Sequence, residues 1–247
     1  MTAVAFAHPV DAHGAPDDAV ATATYGTSEI WLQRKASDRA QSELVFQESR
    51  DVRPHVLDIT VPPHDRRIVA LGLGLDARGR LVVVMDSKRG LYWTRVAGTP
   101  RRHRVSGTTR QDSSPSIFRG QLAYSRSFGA EYSVVRLGSL TGASARTVWT
   151  NRSAPQWFPL QTAVGAGSAV AFVTARDGAG NGAYEAQLVR PGNPVKRLRI
   201  LMLGDTHSGF LAIQGVSSSG RRLTILRQFD GTSATIRFAL PTGRRVS

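Results

Sequence analysis

The sequence predicts an all-β fold in which a four-stranded unit is repeated about five times. Runs rich in Val, Ile, Thr and aromatic residues alternate with short turns of Gly, Pro, Asn and Asp, a pattern typical of strands rather than helices. The clearest unit begins at Asp76, where two strand-like runs, Leu81–Met85 and Leu91–Val96, each follow a turn. Degraded copies of this unit recur along most of the chain.

Glycines in the turns mark the repeat. Gly79, Gly120, Gly167 and Gly220 follow one another at intervals of 41, 47 and 53 residues, and each precedes a strand, a polar turn and a second strand. Four-stranded units of this length are the sequence signature of propeller blades, because a single sheet cannot bury both faces unless its neighbours stack on it. We therefore predict a β-propeller of about five four-stranded blades, one of which is incomplete. A β-sandwich is the alternative, because it also contains many short strands.

The first 18 residues precede the first predicted strand. Thr2–Ala7 is a short apolar run, and with His8–Ala12 it resembles the end of a secretory signal peptide whose positively charged start is missing. A disordered N-terminal tail is the other interpretation. We expect a secreted protein, or one located in the periplasm or cell envelope.

The first unit is predicted to lack one strand. Ala19–Tyr25, Glu29–Gln33 and Ser42–Gln47 form a three-stranded meander by their β-rich composition. We expect the missing strand to be the innermost one, which Ala3–Ala7 or the C-terminal segment would supply. The propeller domain is predicted over residues 19–240, with a C-terminal tail over residues 241–247.

Two glycines mark the start of the second unit. Gly72 and Gly74 occupy alternate positions in the run Arg67–Leu75, and glycine in a strand often marks a close approach of two backbones. This run also matches a loose GxGxxA dinucleotide-binding pattern. That motif requires a helix next, whereas a turn and a β-rich strand follow, so we reject it. We predict that both glycines lie in an innermost strand, where blades crowd.

Paired strands are well marked in the last three units. They are predicted at Leu122–Arg126 and Tyr132–Leu137, at Val170–Thr174 and Tyr184–Val189, and at Leu223–Gln228 and Ala234–Ala239.

The pattern of these units resembles the TolB-type β-propeller repeat family. In that family a Ser-Pro-Asp-Gly turn precedes a strand, a polar turn and an Ile-Tyr strand. The matching segments are Asp76–Gly79 with Leu81–Met85 and Leu91–Tyr92, Gly120 with Leu122–Arg126 and Tyr132, and Gly167 with Val170–Asp177 and Tyr184. No unit has the complete turn. The resemblance implies a scaffold found in periplasmic proteins, peptidase accessory domains and cell-surface proteins, and it implies a fold more than an activity.

The composition limits the classes of partner and site. A net charge of +14 is compatible with an anionic partner, but the 32 basic residues are scattered along the chain, so nucleic acid is not favoured. The densest group is Arg101, Arg102 and Arg104, which we take as a possible anion-binding site. The absence of cysteine excludes disulfides, thiolate metal sites and a Cys nucleophile. No apolar run is long enough to predict a transmembrane segment.

No catalytic, cofactor-binding or metal-ligating residues are predicted. The chain lacks a GxSxG pattern, and the acidic and amide residues within Asp177–Gly182 are explained by hairpin chemistry. A glycosidase on a propeller would place two carboxylates near the axis. By position alone, the candidates for such carboxylates are Asp58, Asp76 and Glu131.

The sequence therefore predicts an exported, non-catalytic binding or interaction scaffold. We expect a monomer whose partner is a protein or a cell-envelope polymer, with no cofactor. Two alternatives stay open: a propeller-type glycan hydrolase or lyase, and an Arg-rich surface that binds polyanions.

Overall fold

A computed structural model shows five four-stranded antiparallel sheets arranged as a five-bladed β-propeller. The prediction of an all-β propeller is confirmed, and five separate sheets exclude a two-sheet sandwich. The structure describes residues 19–35, 41–59, 61, 70–129, 132–142, 144–151, 157–176, 182–190, 196–204, 209–240 and 242–246. The predicted signal-peptide end at residues 1–18 lies outside these ranges.

Each blade contains four strands that are consecutive in the chain. Blade 1 has β1 (Ala21–Tyr25), β2 (Ser28–Arg34), β3 (Ser42–Gln47) and β4 (His55–Val56), and blade 2 has β5 (Leu71–Leu75), β6 (Leu81–Met85), β7 (Tyr92–Arg95) and β8 (His103–Arg104). Blade 3 has β9 (Asp112–Phe118), β10 (Gln121–Ser127), β11 (Ser133–Ser139) and β12 (Arg146–Asn151). Blade 4 has β13 (Trp157–Val164), β14 (Val170–Arg176), β15 (Ala183–Arg190) and β16 (Lys196–Leu203), and blade 5 has β17 (Gly209–Val216), β18 (Arg222–Phe229), β19 (Thr232–Ala239) and β20 (Arg244–Val246). The first strands of neighbouring blades contact one another, so they form the inner ring.

The turn glycines lie where the repeat predicts. Gly79, Gly120, Gly167 and Gly220 have φ values of +75°, +79°, +68° and +71°, and each lies between the first and second strands of its blade. Gly26, with φ +62°, occupies the same place in blade 1. Side chains rarely adopt this left-handed conformation, which explains why glycine recurs at these turns.

Blade 1 is complete, so the expectation that it lacks its inner strand is wrong. The predicted meander supplies the three inner strands, and the fourth strand, β4, pairs with β3 at only two positions. Both residues of β4 are exposed, so no alternation of apolar and polar residues marks it in the sequence. At the other end of the chain, Arg244–Val246 form the outer strand of blade 5, within the segment predicted as a tail.

The two glycines of β5 lie where blades 2 and 3 touch. A Cβ atom on Gly72 would lie 2.4 Å from the carbonyl oxygen of Pro115, and one on Gly74 would lie 2.2 Å from that of Ile117. No side chain fits at these distances. The predicted crowding of the inner strands is confirmed.

Four of the five contacts between blades contain an apolar cluster shared by both partners, and we call each contact a seam. These clusters include Leu32 with Leu73 between blades 1 and 2, Val84 with Leu122 between blades 2 and 3, Val135 with Phe172 between blades 3 and 4, and Leu188 with Ile225 between blades 4 and 5. The closing seam, between blades 5 and 1, has no shared cluster of this kind among the described residues. Its small cluster of Ala19, Trp31 and Val45 belongs to blade 1 alone.

Direct contact between β1 and β17 closes the ring. The Thr24 hydroxyl donates to the carbonyl oxygen of Gln214 at 3.3 Å, and the Tyr25 hydroxyl donates to that of Ser218 at 3.0 Å. Among the described strands, none is exchanged between the first and last blades, because every sheet is built from consecutive strands. No helix in the described ranges is long and apolar enough to cross a membrane.

Candidate binding site

Five hairpin turns gather at one end of the central channel. Each joins the first strand of a blade to the second, so in a ring of equivalent blades they share one face, which we call the lower mouth. The opposite face, where the inner strands begin, is the upper rim. The turn glycines therefore surround the lower mouth.

A cavity of about 420 Å³ lies at the lower mouth between the turns of blades 3, 4 and 5. It is lined by Phe118, Arg119, Gln121, Gly165, Ala166, Gly167, Ser219 and Arg221. Phe118 and Gly165 are buried, whereas Arg119, Gly167, Ser219 and Arg221 are exposed. The cavity thus has a buried, uncharged floor and an exposed rim that carries two arginines.

The three turns are fixed against one another. The backbone N–H of Ala166 donates to the carbonyl oxygen of Gly220 at 2.8 Å, which joins blade 4 to blade 5. A Cβ atom on Gly220 would lie 2.3 Å from the ring of Phe118, so this turn packs directly on a blade 3 side chain. The side chain of Gln121 donates to the Ser168 hydroxyl and joins blades 3 and 4. These contacts define the shape of the cavity before any ligand enters.

Two guanidinium groups stand at the rim of the cavity. The Cζ atom of Arg119 lies 5.5 Å from the centre of the Phe118 ring, close enough for a cation–π contact. Within the described ranges, no carboxylate forms an ion pair with Arg119 or Arg221, whereas Arg80, Arg126 and Arg199 each pair with one. The N–H groups of Arg119 and Arg221 therefore offer donors to an anion.

Tyr25 brings blade 1 to the edge of this site. Its hydroxyl is bonded to Ser218, next to the cavity residue Ser219. Burial raises the pKa of Tyr25, and the positive charge of Arg119 acts in the opposite direction. Arg119 thus lies near enough to Tyr25 to act on its charge, across the channel from blade 3 to blade 1.

The upper rim holds the carboxyl groups of Asp112, which is buried, and of Asp86, which is half-buried, and the two have different partners. Asp112, at the start of β9, forms an ion pair with Arg126 whose closest atoms are 2.6 Å apart. Asp86 accepts hydrogen bonds from the backbone N–H of Ala70 at 3.0 Å and from the Ser113 hydroxyl at 2.9 Å. Burial raises the pKa of Asp86 to about 6, although these bonds oppose the rise. Asp86 therefore links blades 2 and 3 as a titratable contact.

Of the carboxylates proposed by position, the two that the structure describes, Asp58 and Asp76, do not converge on the axis. Asp58 is exposed beyond the outer strand of blade 1. Asp76 lies in the turn after β5, where it accepts from the backbone N–H of Arg78 and pairs with Arg80 at 2.7 Å. Glu131 lies outside the described residues. The Asp76 side chain thus stabilises its own turn by accepting backbone hydrogen bonds, a common role of aspartate.

The structure places the predicted anion-binding arginines on the outer edge of blade 2. Arg101, Arg102 and Arg104 are all exposed. The Cζ atom of Arg102 lies 5.3 Å from the centre of the Tyr92 ring, and Arg104 donates to the carbonyl oxygen of Thr108 at 3.0 Å. They lie on or beside the outermost strand, away from the channel. Anion binding there stays a prediction.

Sequence reasoning missed Arg119 and Arg221. Each is adjacent to a turn glycine that defines the repeat, at Arg119–Gly120 and Gly220–Arg221. Arginines at the corresponding turns of blades 3 and 5 are the signal that points to a shared charged surface. In the part of the chain that the structure describes, no three His, Asp or Glu side chains lie close enough to hold a metal ion.

Solved structures share this fold. TolB from Acinetobacter baumannii matches 89% of this chain and 52% of its own, with a TM-score of 0.60 and 13% identity. A putative TolB from Agrobacterium tumefaciens matches 72% of this chain and 62% of its own, with a TM-score of 0.52 and 13% identity. A puromycin-hydrolyzing peptidase from Mycobacterium tuberculosis matches 91% of this chain and 38% of its own, with a TM-score of 0.59 and 8% identity.

These likenesses confirm the predicted resemblance to TolB-type propellers at the level of the fold. Identities this low carry no information about activity. The chain spans about half the length of the first of these proteins and less than two-fifths of the peptidase. No family model and no curated protein sequence matches the chain.

Proposed function

We propose that the chain is a non-catalytic binding propeller whose ligand presents a negative charge to the lower mouth. One observation carries this proposal: Arg119 and Arg221 flank a cavity of about 420 Å³ with no carboxylate partner in the described ranges. Ligand cavities in proteins commonly enclose about 300–1,000 Å³. The planar guanidinium group matches carboxylate and phosphate groups with two parallel hydrogen bonds.

The rigidity of the three turns supports binding at this site. The Ala166–Gly220 hydrogen bond and the packing of Gly220 on Phe118 hold the rim of the cavity in place. A preformed site loses little conformational entropy when its ligand arrives, which favours affinity. The site therefore requires no rearrangement of the blades.

The residues of the inner strands favour binding over glycan hydrolysis. Hydrolysis by the usual mechanism needs two carboxyl groups on either side of the scissile bond, about 5–10 Å apart. The five inner strands contain one carboxylate, Asp112, and it is held by Arg126. Solved structures of a puromycin-hydrolyzing peptidase and a streptogramin B lyase share the fold at 8% and 12% identity, which transfers no catalytic residue.

We extend the proposal to the location and partner of the protein. The segment Thr2–Ala12 resembles the end of a signal peptide, so we place the chain outside the cytoplasm with an acidic protein or cell-envelope polymer as partner. Cell fractionation with N-terminal sequencing tests this. A processed N-terminus in the extracytoplasmic fraction is expected, and a full-length chain confined to the cytoplasm contradicts it.

Binding of a small anion with two acidic groups tests the site itself. Isothermal titration of the full chain with glutarate and with pyrophosphate, at low ionic strength, measures Kd for wild type and for two variants. We expect Arg119→Ala/Arg221→Ala to weaken binding by about tenfold or more, since each lost charge-assisted bond is worth about 1.5–3 kcal/mol.

The arginines of blade 2 provide the control and the competing site. Arg101→Ala/Arg102→Ala/Arg104→Ala removes three charges, one more than the test variant, yet should leave Kd unchanged. If the triple variant loses binding and the double variant keeps it, the outer edge of blade 2 is the anion site and our proposal is wrong. Wild-type protein that binds neither probe below about 10 mM, roughly −2.7 kcal/mol, also contradicts it.

A further inference from the structure

We infer that the ligand of the lower mouth is a carboxylate on a flat apolar body, of the class of small aromatic acids. This inference rests on the proposed function and specifies the ligand of the same site. It follows from the way charge and apolar surface divide within the cavity.

The floor of the cavity is uncharged and largely apolar. Phe118 is only 4% exposed, and Gly165 beside it is buried as well. The charged groups are both at the rim, on Arg119 and Arg221. A bare inorganic anion would reach the arginines but leave the partly exposed apolar lining, which includes Ala166, in contact with water. A ligand with an apolar body removes that surface from water, which is favourable.

One wall of the cavity carries only the small residues Gly165, Ala166 and Gly167. A Cβ atom on Gly165 would lie 2.5 Å from the carbonyl oxygen of Gly220, so only glycine fits there. Gly167 faces open space, because a Cβ atom on it would meet no atom within 4 Å. Glycines therefore leave a smooth wall along this side, against which a planar ring packs with more contact than a branched chain.

We take the charged end of the ligand as a carboxylate, the smaller of the two groups that a guanidinium fork binds with two parallel hydrogen bonds. The guanidinium of Arg119 is already placed near the Phe118 ring, so its fork of donors is partly ordered before binding. A carboxylate is planar and accepts two parallel N–H bonds from such a fork. Its attached ring can then reach the floor beside Phe118.

A ligand series separates the contributions of charge and ring. The full chain is titrated with phenylacetate, acetate, the neutral phenylacetamide and phenylphosphonate, and Kd is measured by calorimetry or by NMR shifts. We expect phenylacetate to bind at least tenfold more tightly than each of the other three. Arg221→Ala should remove most of this advantage over phenylacetamide, whereas Arg222→Ala, at the adjacent exposed arginine outside the cavity lining, should not.

A variant at the edge of the cavity tests the ring without changing any charge. Gly167→Asn adds a side chain toward open space at a φ of +68°, which asparagine tolerates. It should weaken phenylacetate severalfold and leave acetate unchanged. Gly26→Asn is the matched control, since Gly26 has φ +62°, equally open surroundings and the same place in blade 1, outside the cavity lining.

The outcomes distinguish the inference from the function on which it rests. Equal, arginine-dependent binding of acetate and phenylacetate overturns the apolar body but leaves anion binding intact. Phenylphosphonate that binds as tightly as phenylacetate overturns the choice of a carboxylate. If none of the four compounds binds in an arginine-dependent way, both the inference and the proposed function fail.

Discussion

Blade 5 joins its two neighbours through opposite faces of one sheet, and the two faces differ in chemistry. Toward blade 4 it presents Leu223, Ile225, Ile236 and Phe238, which are buried in an apolar cluster with blade 4 side chains. Alternate residues of the same strands face blade 1, and these include Thr224, Thr235 and Arg237, with Leu226 buried among them. One seam excludes water by packing, whereas the closing seam relies on polar contacts.

The difference shows where the ring is strong. Burial of apolar side chains stabilises by about 1.5–3 kcal/mol for each large residue, whereas a hydrogen bond formed in place of one to water contributes about 0.5–1.5 kcal/mol. The bonds of Thr24 and Tyr25 across the closing seam belong to the second kind. We therefore expect blades 4 and 5 to separate only on global unfolding, and blades 5 and 1 to separate more readily.

The largest expected effect comes from the apolar seam. Ile225→Ala should lower the free energy of unfolding by about 2–5 kcal/mol, because it leaves a cavity in a fully buried cluster. Urea denaturation measures the loss. Thr224→Ala, the next residue on the opposite face, should change it by less than about 1 kcal/mol. Similar losses for both variants would remove the contrast between the two faces.

Asp86 gives a polar contact between blades whose strength depends on pH. Its pKa is raised from an ordinary value of 3.8 to about 6, so folding favours the protonated carboxyl. The raised pKa of Asp86 contributes to the free energy of unfolding on the order of 3 kcal/mol. This contribution is fully present below pH 4 and is lost as the pH rises through 6. Asp86→Asn should be more stable than wild type at pH 7.5, and the gain should disappear near pH 4.

Thermal melts of both proteins between pH 4 and 8 measure this difference. The hydrogen bonds of Thr24 and Tyr25 contain no group that titrates in that interval, so Thr24→Val should show an offset that does not vary with pH. A constant offset for Asp86→Asn as well would mean that burial does not raise the pKa of Asp86.

A pair of glycine substitutions compares the packing of two seams directly. Gly74→Ala should destabilise by about 1–3 kcal/mol, since the new methyl group would lie 2.2 Å from the carbonyl oxygen of Ile117. Gly215→Ala, in the closing seam, would place its methyl group 3.6 Å from the Thr24 hydroxyl, an ordinary contact. It should be neutral or slightly stabilising in the same denaturation assay. Equal destabilisation would show that the closing seam is as crowded as the seam between blades 2 and 3.

The smallest effect is expected at the closing bonds themselves. Tyr25→Phe removes the bond to Ser218 and should cost about 0.5–1.5 kcal/mol. In this variant, amide hydrogen exchange should accelerate more in β1 and β17 than in β14. Thr22→Val, on the opposite face of β1 from Tyr25 and without such a bond, should leave exchange unchanged. Uniform acceleration in all five blades would mean that the ring opens only by global unfolding.

The sequence predicts the blades well because their turns have a strict requirement. Gly79, Gly120, Gly167 and Gly220 are needed for positive φ, so they keep the repeat visible after the strands have diverged. Gly72 and Gly74 likewise reveal close backbones. Strand β4 leaves no such signal, since its two exposed residues satisfy neither a turn nor a buried face.

The candidate site is harder to read because its parts are distant in sequence. Phe118 and Arg221 are about a hundred residues apart and meet only after three blades have stacked. Clustering along the chain instead drew attention to Arg101, Arg102 and Arg104, which the fold places on an outer edge. Sequence shows that an arginine is exposed, but only the ring shows which exposed arginines share a cavity.

The consecutive order of strands in every blade has a mechanical consequence. Within the part of the chain that the structure describes, no continuous sheet spans the closing seam, so a force that pulls blade 1 away from blade 5 does not load backbone ladders in shear. The load falls on side-chain bonds such as those of Thr24 and Tyr25. In an optical trap the ring would yield there at low force, and the blades would then detach one by one, each keeping its own sheet until its seam fails.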